Sequence, residues 1–170
     1  MRILKLLSLL IILCIGTYYF YPENHLSLNT QIDSLIVYKS NREMEVYSGG
    51  SLVKTFAISL GRNPIGDKEF EGDKKTPEGK YIIDTKNSES GYHKNLGISY
   101  PNESDIENAK IIGKPTGGDI KIHGLKNKLG FIGKFHRWFD WTMGCIAVTN
   151  EEIDELFATV PIGTKIEIRK

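Results

Sequence analysis

The sequence predicts a mainly β domain, a sandwich or open barrel, with one or two short helices. Three observations predict it. Short runs rich in Ile, Val, Leu and Tyr recur along the chain, and such side chains fit a pleated, half-buried surface. Clusters of Gly, Pro, Asn and Asp separate those runs and draw on 17 glycines. A full helical stripe with its cap appears once in the body, near the C-terminus.

Taken in order, Leu35 to Lys39 and Met44 to Tyr47 read as two strands joined through Asn41-Arg42. Ser48-Gly49-Gly50 turns the chain into a third strand, Leu52 to Leu60, which Gly61 ends. Residues 61–79 are dense in Gly, Pro, Asp and Lys and read as a long loop. In it, Thr76-Pro77-Glu78-Gly79 sets Pro and Gly where a type I turn favours them. Lys80 to Asp84 resumes a strand, Asn87 to Gly91 is a loop, and Leu96 to Tyr100 is a strand stopped by Pro101-Asn102. Asp105 to Lys110 suits a short helix, and residues 114–119 form another loop. Ile120-Lys121-Ile122 alternates and meets His123-Gly124, whereas residues 125–144 show no period. Thr149 with Glu152 fits a capping box, and Ile153, Leu156, Phe157 and Val160 share one helix face. Pro161 and Gly163 stop that helix before a last strand, Thr164 to Arg169.

Residues 1–21 differ in kind. Arg2 and Lys5 precede an apolar run, Leu6 to Ile15, and an aromatic cluster at Tyr18, Tyr19, Phe20 and Tyr21. This is the layout of an export signal or an N-terminal membrane anchor, with the anchor favoured because the match to a cleavage site is poor. The basic residues keep the N-terminus in the cytoplasm, so the body is expected in the periplasm or an equivalent extracytoplasmic space. Residues 22–33 read as a linker, and residues 34–170 as the domain proper. A net charge of +1 leaves no polybasic footprint and argues against nucleic acid as a partner.

Two features carry chemistry. Cys145 is the one cysteine of the body and follows Gly144, just ahead of a capped helix. A helix N-terminus and a nearby imidazole would both favour its thiolate, and the N–H groups of Gly144 and Cys145 could meet an oxyanion. His123 stands at a strand end beside Gly124, where a base would be held rigidly; His93 and His136 are rivals, and His25 lies in the linker. No HExxH, CxxC or Walker motif is present, so neither a metal nor another cofactor is expected.

Several segments fall in a familiar order. Gly72-Asp73-Lys74-Lys75-Thr76-Pro77-Glu78-Gly79-Lys80-Tyr81, then Ser99-Tyr100-Pro101-Asn102 with Asp105, then Ile122-His123-Gly124, then Gly144-Cys145-Ile146 with Asn150, resemble the L,D-transpeptidase catalytic (YkuD-like) domain family. The resemblance implies a YkuD-like β-sandwich acting on peptidoglycan stem peptides at meso-diaminopimelate. It implies Cys145 as nucleophile, His123 as general base, the Gly124 carbonyl orienting the imidazole and the Gly144 N–H in an oxyanion hole. Transfer to an amine and hydrolysis by water both fit such a site, and a non-catalytic wall-binding domain is the rival of another class. Two positions depart from the family pattern: Met143 stands for a usual His and Ala147 for a usual Arg. Arg137, His136, Trp141 and Thr142 are therefore the expected substrate contacts.

Overall fold

The structure is a computed structural model. It describes residues 2–170, with Arg2 described by its backbone only, so the first residue of the 1–21 segment lies outside the described residues. Helix α1 (Arg2–Phe20) is one uninterrupted apolar rod. Its stretch Ile3–Phe20 is long and apolar enough to cross a membrane and has none of its residues buried. Residues 22–33 form no regular element, yet they are packed down rather than loose. Leu26 and Ile32 join the core, and the Ile32 N–H donates to the Thr159 carbonyl at 3.3 Å.

The body is one curled, mixed eight-stranded sheet, a half-barrel, in the order β3-β2-β1-β8-β4-β5-β6-β7. Its strands are β1 (Ser34–Tyr38), β2 (Glu43–Ser48), β3 (Ser51–Ala57), β4 (Gly79–Ser90), β5 (His93–Ile98), β6 (Lys121–His123), β7 (Ile146–Ala147) and β8 (Lys165–Arg169). Alternation sets the register at the start of the sheet. Leu35 and Val37 of β1 face Val46 and Met44 of β2, and all four are buried. Most pairings are antiparallel, as expected. Two are parallel, β1 with β8 and β6 with β7, because each joins strands far apart in sequence.

Helix α3 (Asn150–Thr159) begins at the Thr149/Glu152 capping box, and its Ile153, Leu156 and Val160 are fully buried. Phe157, on the margin of that stripe, is half-buried beneath Lys86 and Lys94. Helix α2 (Glu103–Ile112) starts two residues earlier than expected. Asn102 and Asp105 form a capping box there, and Gly113, at φ 72, ends the helix.

Two elements depart from the sequence expectation. Strand β4 runs through Asn87 to Ser90, where a loop was expected. Its far half pairs only with β5, is mostly exposed and takes up register shifts, so polar residues cost little there. The aperiodic segment holds a 3-10 helix, Gly130–Trp138, broken at Gly133 (φ 49). A three-residue turn interrupted at its middle leaves no 3.6-residue period to detect.

Candidate active site

Strands β6 and β7 lie side by side and parallel, with Ile122 opposite Ile146 and His123 opposite Ala147. Ile122 and Ile146 are completely buried and lock that register. His123 closes β6, and Cys145 immediately precedes β7, so the sheet brings the two to one place. Both line an open cleft of about 750 Å³, together with Tyr92, Asp119, Lys121 and Trp141.

The imidazole is held from several sides. His123 Nδ1 lies 2.7 Å from the Gly124 carbonyl oxygen, which can only accept, so Nδ1 carries the hydrogen and Nε2 is left for proton transfer. Tyr92 lies 4.7 Å and Trp141 5.6 Å from the ring, centroid to centroid. Burial lowers the His123 pKa; the Gly124 hydrogen bond opposes this and the Lys121 charge adds to it. The ring is thus neutral and able to accept a proton at neutral pH. Gly124 is required by closeness: a Cβ there would come within 2.8 Å of Asn150 Oδ1, which accepts from the Leu125 N–H.

The thiol sits on a tightly built turn. Gly144 adopts φ 132, and a Cβ on it would meet the Lys75 carbonyl at 2.8 Å, so only glycine fits. The Thr142 hydroxyl accepts from the Gly144 N–H at 3.1 Å and donates to the Cys145 carbonyl at 2.7 Å. Asp140 fastens the approach to this turn: it accepts from the Leu60 N–H at 2.9 Å and pairs with Arg42 at 2.7 Å. Cys145 Sγ points at the Asp119 carbonyl, 3.7 Å away.

One expectation about the thiol is corrected. The Cys145 pKa is raised, not lowered: burial pushes it up, and the nearby Asp119 carboxylate adds to that against the Lys121 N–H. At the helix N-terminus expected to favour the thiolate, a capping box engages the Glu152 N–H with the Thr149 hydroxyl and the Thr149 N–H with the Glu152 carboxylate. The Gly144 N–H, expected to meet an oxyanion, is already engaged by Thr142.

Of the expected substrate contacts, Trp141 and Thr142 line the cleft, while His136 and Arg137 do not. His136 is buried beneath the loop, where Nδ1 lies 3.1 Å from Ser59 Oγ and burial, aided by the Arg137 charge, lowers its pKa to about 3. Arg137 is clamped between Glu23, at 2.8 Å, and Glu152, at 2.7 Å. Burial raises the Glu23 pKa, but Arg137 and Lys134 outweigh it and hold that carboxyl at about 2. Both side chains are therefore engaged away from the cleft that holds Cys145. The rival bases are occupied too: His93 Nε2 lies 2.9 Å from Asp154, and His25 pairs with Glu155. Met143 is well exposed on the cleft rim, and Ala147 is completely buried, bridged to Ser59.

Sequence reasoning missed several cleft residues, among them Tyr92, Asp119, Lys121 and Arg62; of these Arg62 offers an unengaged cation. Its Nε donates to the Trp141 carbonyl at 3.2 Å, and its two terminal nitrogens have no hydrogen bond among the described residues. Lys121, by contrast, is paired with Asp119 at 2.6 Å. The only signal in the chain is that Arg62 directly follows Leu60-Gly61, the end of the third strand. Among the described residues, no group of three His, Cys, Asp or Glu is placed to hold a metal ion.

The chain belongs to the L,D-transpeptidase catalytic domain (YkuD) family, which it matches over residues 33–168. A candidate L,D-transpeptidase of Bacillus subtilis, YqjB, is 28% identical over 79% of this chain and 69% of its own length. YafK of Escherichia coli, also named as a candidate L,D-transpeptidase, is 27% identical over 73% of this chain and 45% of its own. Among solved structures, the helical cell shape determining protein Pgp2 of Campylobacter jejuni superposes with a TM-score of 0.60 at 25% identity, over 84% of this chain and 49% of Pgp2. The chain thus spans about half the length of YafK and Pgp2.

Proposed function

We propose that this protein is an extracytoplasmic cysteine acyltransferase that works on meso-diaminopimelate-containing peptidoglycan stem peptides through a thioester. The observation that carries the reading is the register of β6 and β7, which brings His123, at the end of β6, and Cys145, just before β7, into one cleft. In the reaction, Nε2 of His123 takes the thiol proton and Sγ attacks the carbonyl at the L-centre of diaminopimelate. A tetrahedral oxyanion forms, with the Cys145 N–H as its nearest donor; the Gly144 N–H can join once Thr142 releases it. The bond to the leaving amine then breaks, and that amine carries off the proton held by His123. An incoming amine or water resolves the thioester by the reverse proton movement.

The raised thiol and lowered imidazole pKa values fit a resting neutral pair, in which the thiolate forms only as the proton crosses to His123. Arg62 supplies the cation that Ala147 lacks. It lines the cleft, and its guanidinium suits a substrate carboxylate. An apolar rim at Met143 and a Trp141 wall favour a specialised acyl transfer or trimming over generic crosslinking of tetrapeptides. By likeness to Pgp2, a role in cell shape is part of this reading. Helix α1 acts as the membrane anchor and places the domain outside the membrane that it crosses.

The test is to incubate the protein with purified disaccharide-tetrapeptide, quench with acid and weigh the intact protein. A mass increase matching the acyl group, absent in Cys145→Ala, is expected. Unmodified protein together with unaltered muropeptides would leave a wall-binding role instead.

A further inference from the structure

We propose that the catalytic domain rests on the outer surface of the membrane crossed by α1, with the exposed aromatic side chains of the 3-10 helix in the lipid headgroup layer. This rests on the reading of α1 as an anchor and adds what that reading does not contain, a second, peripheral contact with the bilayer.

Helix α1 does not leave the domain as a free stalk. The Tyr18 ring lies 6.1 Å from Phe135 and 6.0 Å from Trp138, and the Tyr19 ring 5.1 Å from Phe135. The Tyr19 hydroxyl donates to the Phe131 carbonyl at 2.7 Å, and the Tyr18 hydroxyl to the Lys134 carbonyl at 3.3 Å. Gly133 makes room for this contact, since a Cβ there would come within 2.9 Å of the Tyr19 ring. The chain beyond α1 has no slack either: Glu23 is held by Arg137 and Lys134, and Leu26 is in the core. The end of α1 is therefore fixed against the body.

Around that end, Phe20, Tyr21, Phe131, Trp138 and Phe139 are each more than half exposed. One exposed aromatic is ordinary, but a ring of them at the end of a membrane-length helix is a lipid-interface pattern. Ile3–Phe20 rises about 27 Å at about 1.5 Å per residue, close to the roughly 30 Å of a hydrocarbon core. Phe20 and Tyr21 then fall at headgroup level, and the 3-10 helix, packed on Tyr18 and Tyr19, comes to the same level. The cations at this face, Lys134 and Arg137, are already paired with Glu23. Insertion of rings, not attraction to anionic lipid, is the force that the face offers. The same chain segment continues from Phe131 to Trp141 and Met143 of the cleft, so the thiol is held at a constant, short distance from the bilayer.

The experiment uses the full chain in phosphatidylcholine vesicles with bromines placed at graded depths on the acyl chains. The chain has two tryptophans, so wild type is compared with Trp138→Phe. Shallow bromines are expected to quench a Trp138 component that the variant lacks. Carbonate extraction reports on α1 separately. Protein that resists extraction yet shows the same quenching in wild type and variant overturns the peripheral contact and leaves the anchor standing. Protein that extracts overturns both. A Trp138 signal that follows the protein-to-lipid ratio and ignores bromine depth assigns the face to a second copy of this chain and also overturns the proposal.

Discussion

The Thr142 hydroxyl donates to the Cys145 carbonyl at 2.7 Å, bracing the turn that presents the thiol. The same oxygen accepts from the Gly144 N–H, so one side chain closes the turn from both ends. Thr142→Val keeps the shape and removes both bonds. It is expected to cost about 1–3 kcal/mol of stability and to lower turnover more than tenfold, because a misplaced thiol gives up its proton and attacks the carbonyl in the wrong geometry. Thr142→Ser should recover most of both losses. Urea melts and steady-state rates check this; a full-rate Thr142→Val would remove the turn from the mechanism.

Cys145→Ala should abolish turnover while the fold survives, with a stability loss on the order of 1–2 kcal/mol for a small, half-buried side chain. His123→Ala should cost about 10²-fold or more, the usual worth of base assistance. His93→Ala should cost less, since that ring is paired with Asp154. A larger loss in His93→Ala than in His123→Ala would show that the base had been assigned to the wrong ring.

The pH dependence has a definite sign. The His123 pKa is lowered, so its base form persists further into acid than that of an ordinary histidine. The acid limb of kcat/KM is therefore expected below the usual histidine value of about 6.5. The Cys145 pKa is raised, so alkylation of the free thiol should accelerate only above the ordinary 9.0. Iodoacetamide labelling of the resting protein, followed by mass across pH, reads the second; a thiolate already formed near neutral pH would contradict the resting neutral pair.

His136 makes folding stability sensitive to acid. Its folded pKa is about 3 against 6.5 for the free side chain, so the unfolded chain takes up the proton first as pH falls. Stability is complete above about pH 6.5 and is lost progressively towards pH 3, with ~2 kcal/mol gone at pH 5 from this group. His136→Gln should be less stable at pH 7 and should lose less between pH 7 and pH 5. Denaturant melts of both proteins at the two pH values decide it; parallel losses would assign the acid sensitivity to other groups.

Arg62→Gln should raise KM about tenfold for a donor peptide with a free terminal carboxylate and leave an amidated donor unaffected. Ala147→Arg is expected to destabilise rather than to restore a carboxylate site, because position 147 is completely buried and a guanidinium there would lack a partner. Equal KM changes for both donors in Arg62→Gln would show that Arg62 supports the cleft without reading the carboxylate.

The chain by itself determined the strand-rich body, the capped helix at Thr149 and the apolar start, because each is written in local composition, periodicity and capping residues within a few positions. It also singled out Cys145 and His123, through the glycines beside them and the family motifs. Tertiary structure alone decided what those residues meet. His123 and Cys145 are 22 positions apart in sequence and come to line one cleft only through the β6–β7 register, which no local pattern encodes. The same holds for His136 and Arg137: in sequence they are polar residues near the thiol, and folding turns them inward against Ser59, Glu23 and Glu152. Arg62 moves the other way, from an unremarked loop to the cleft wall. The thiol's raised pKa belongs to this level as well, since burial and field exist only once distant segments have closed around a group.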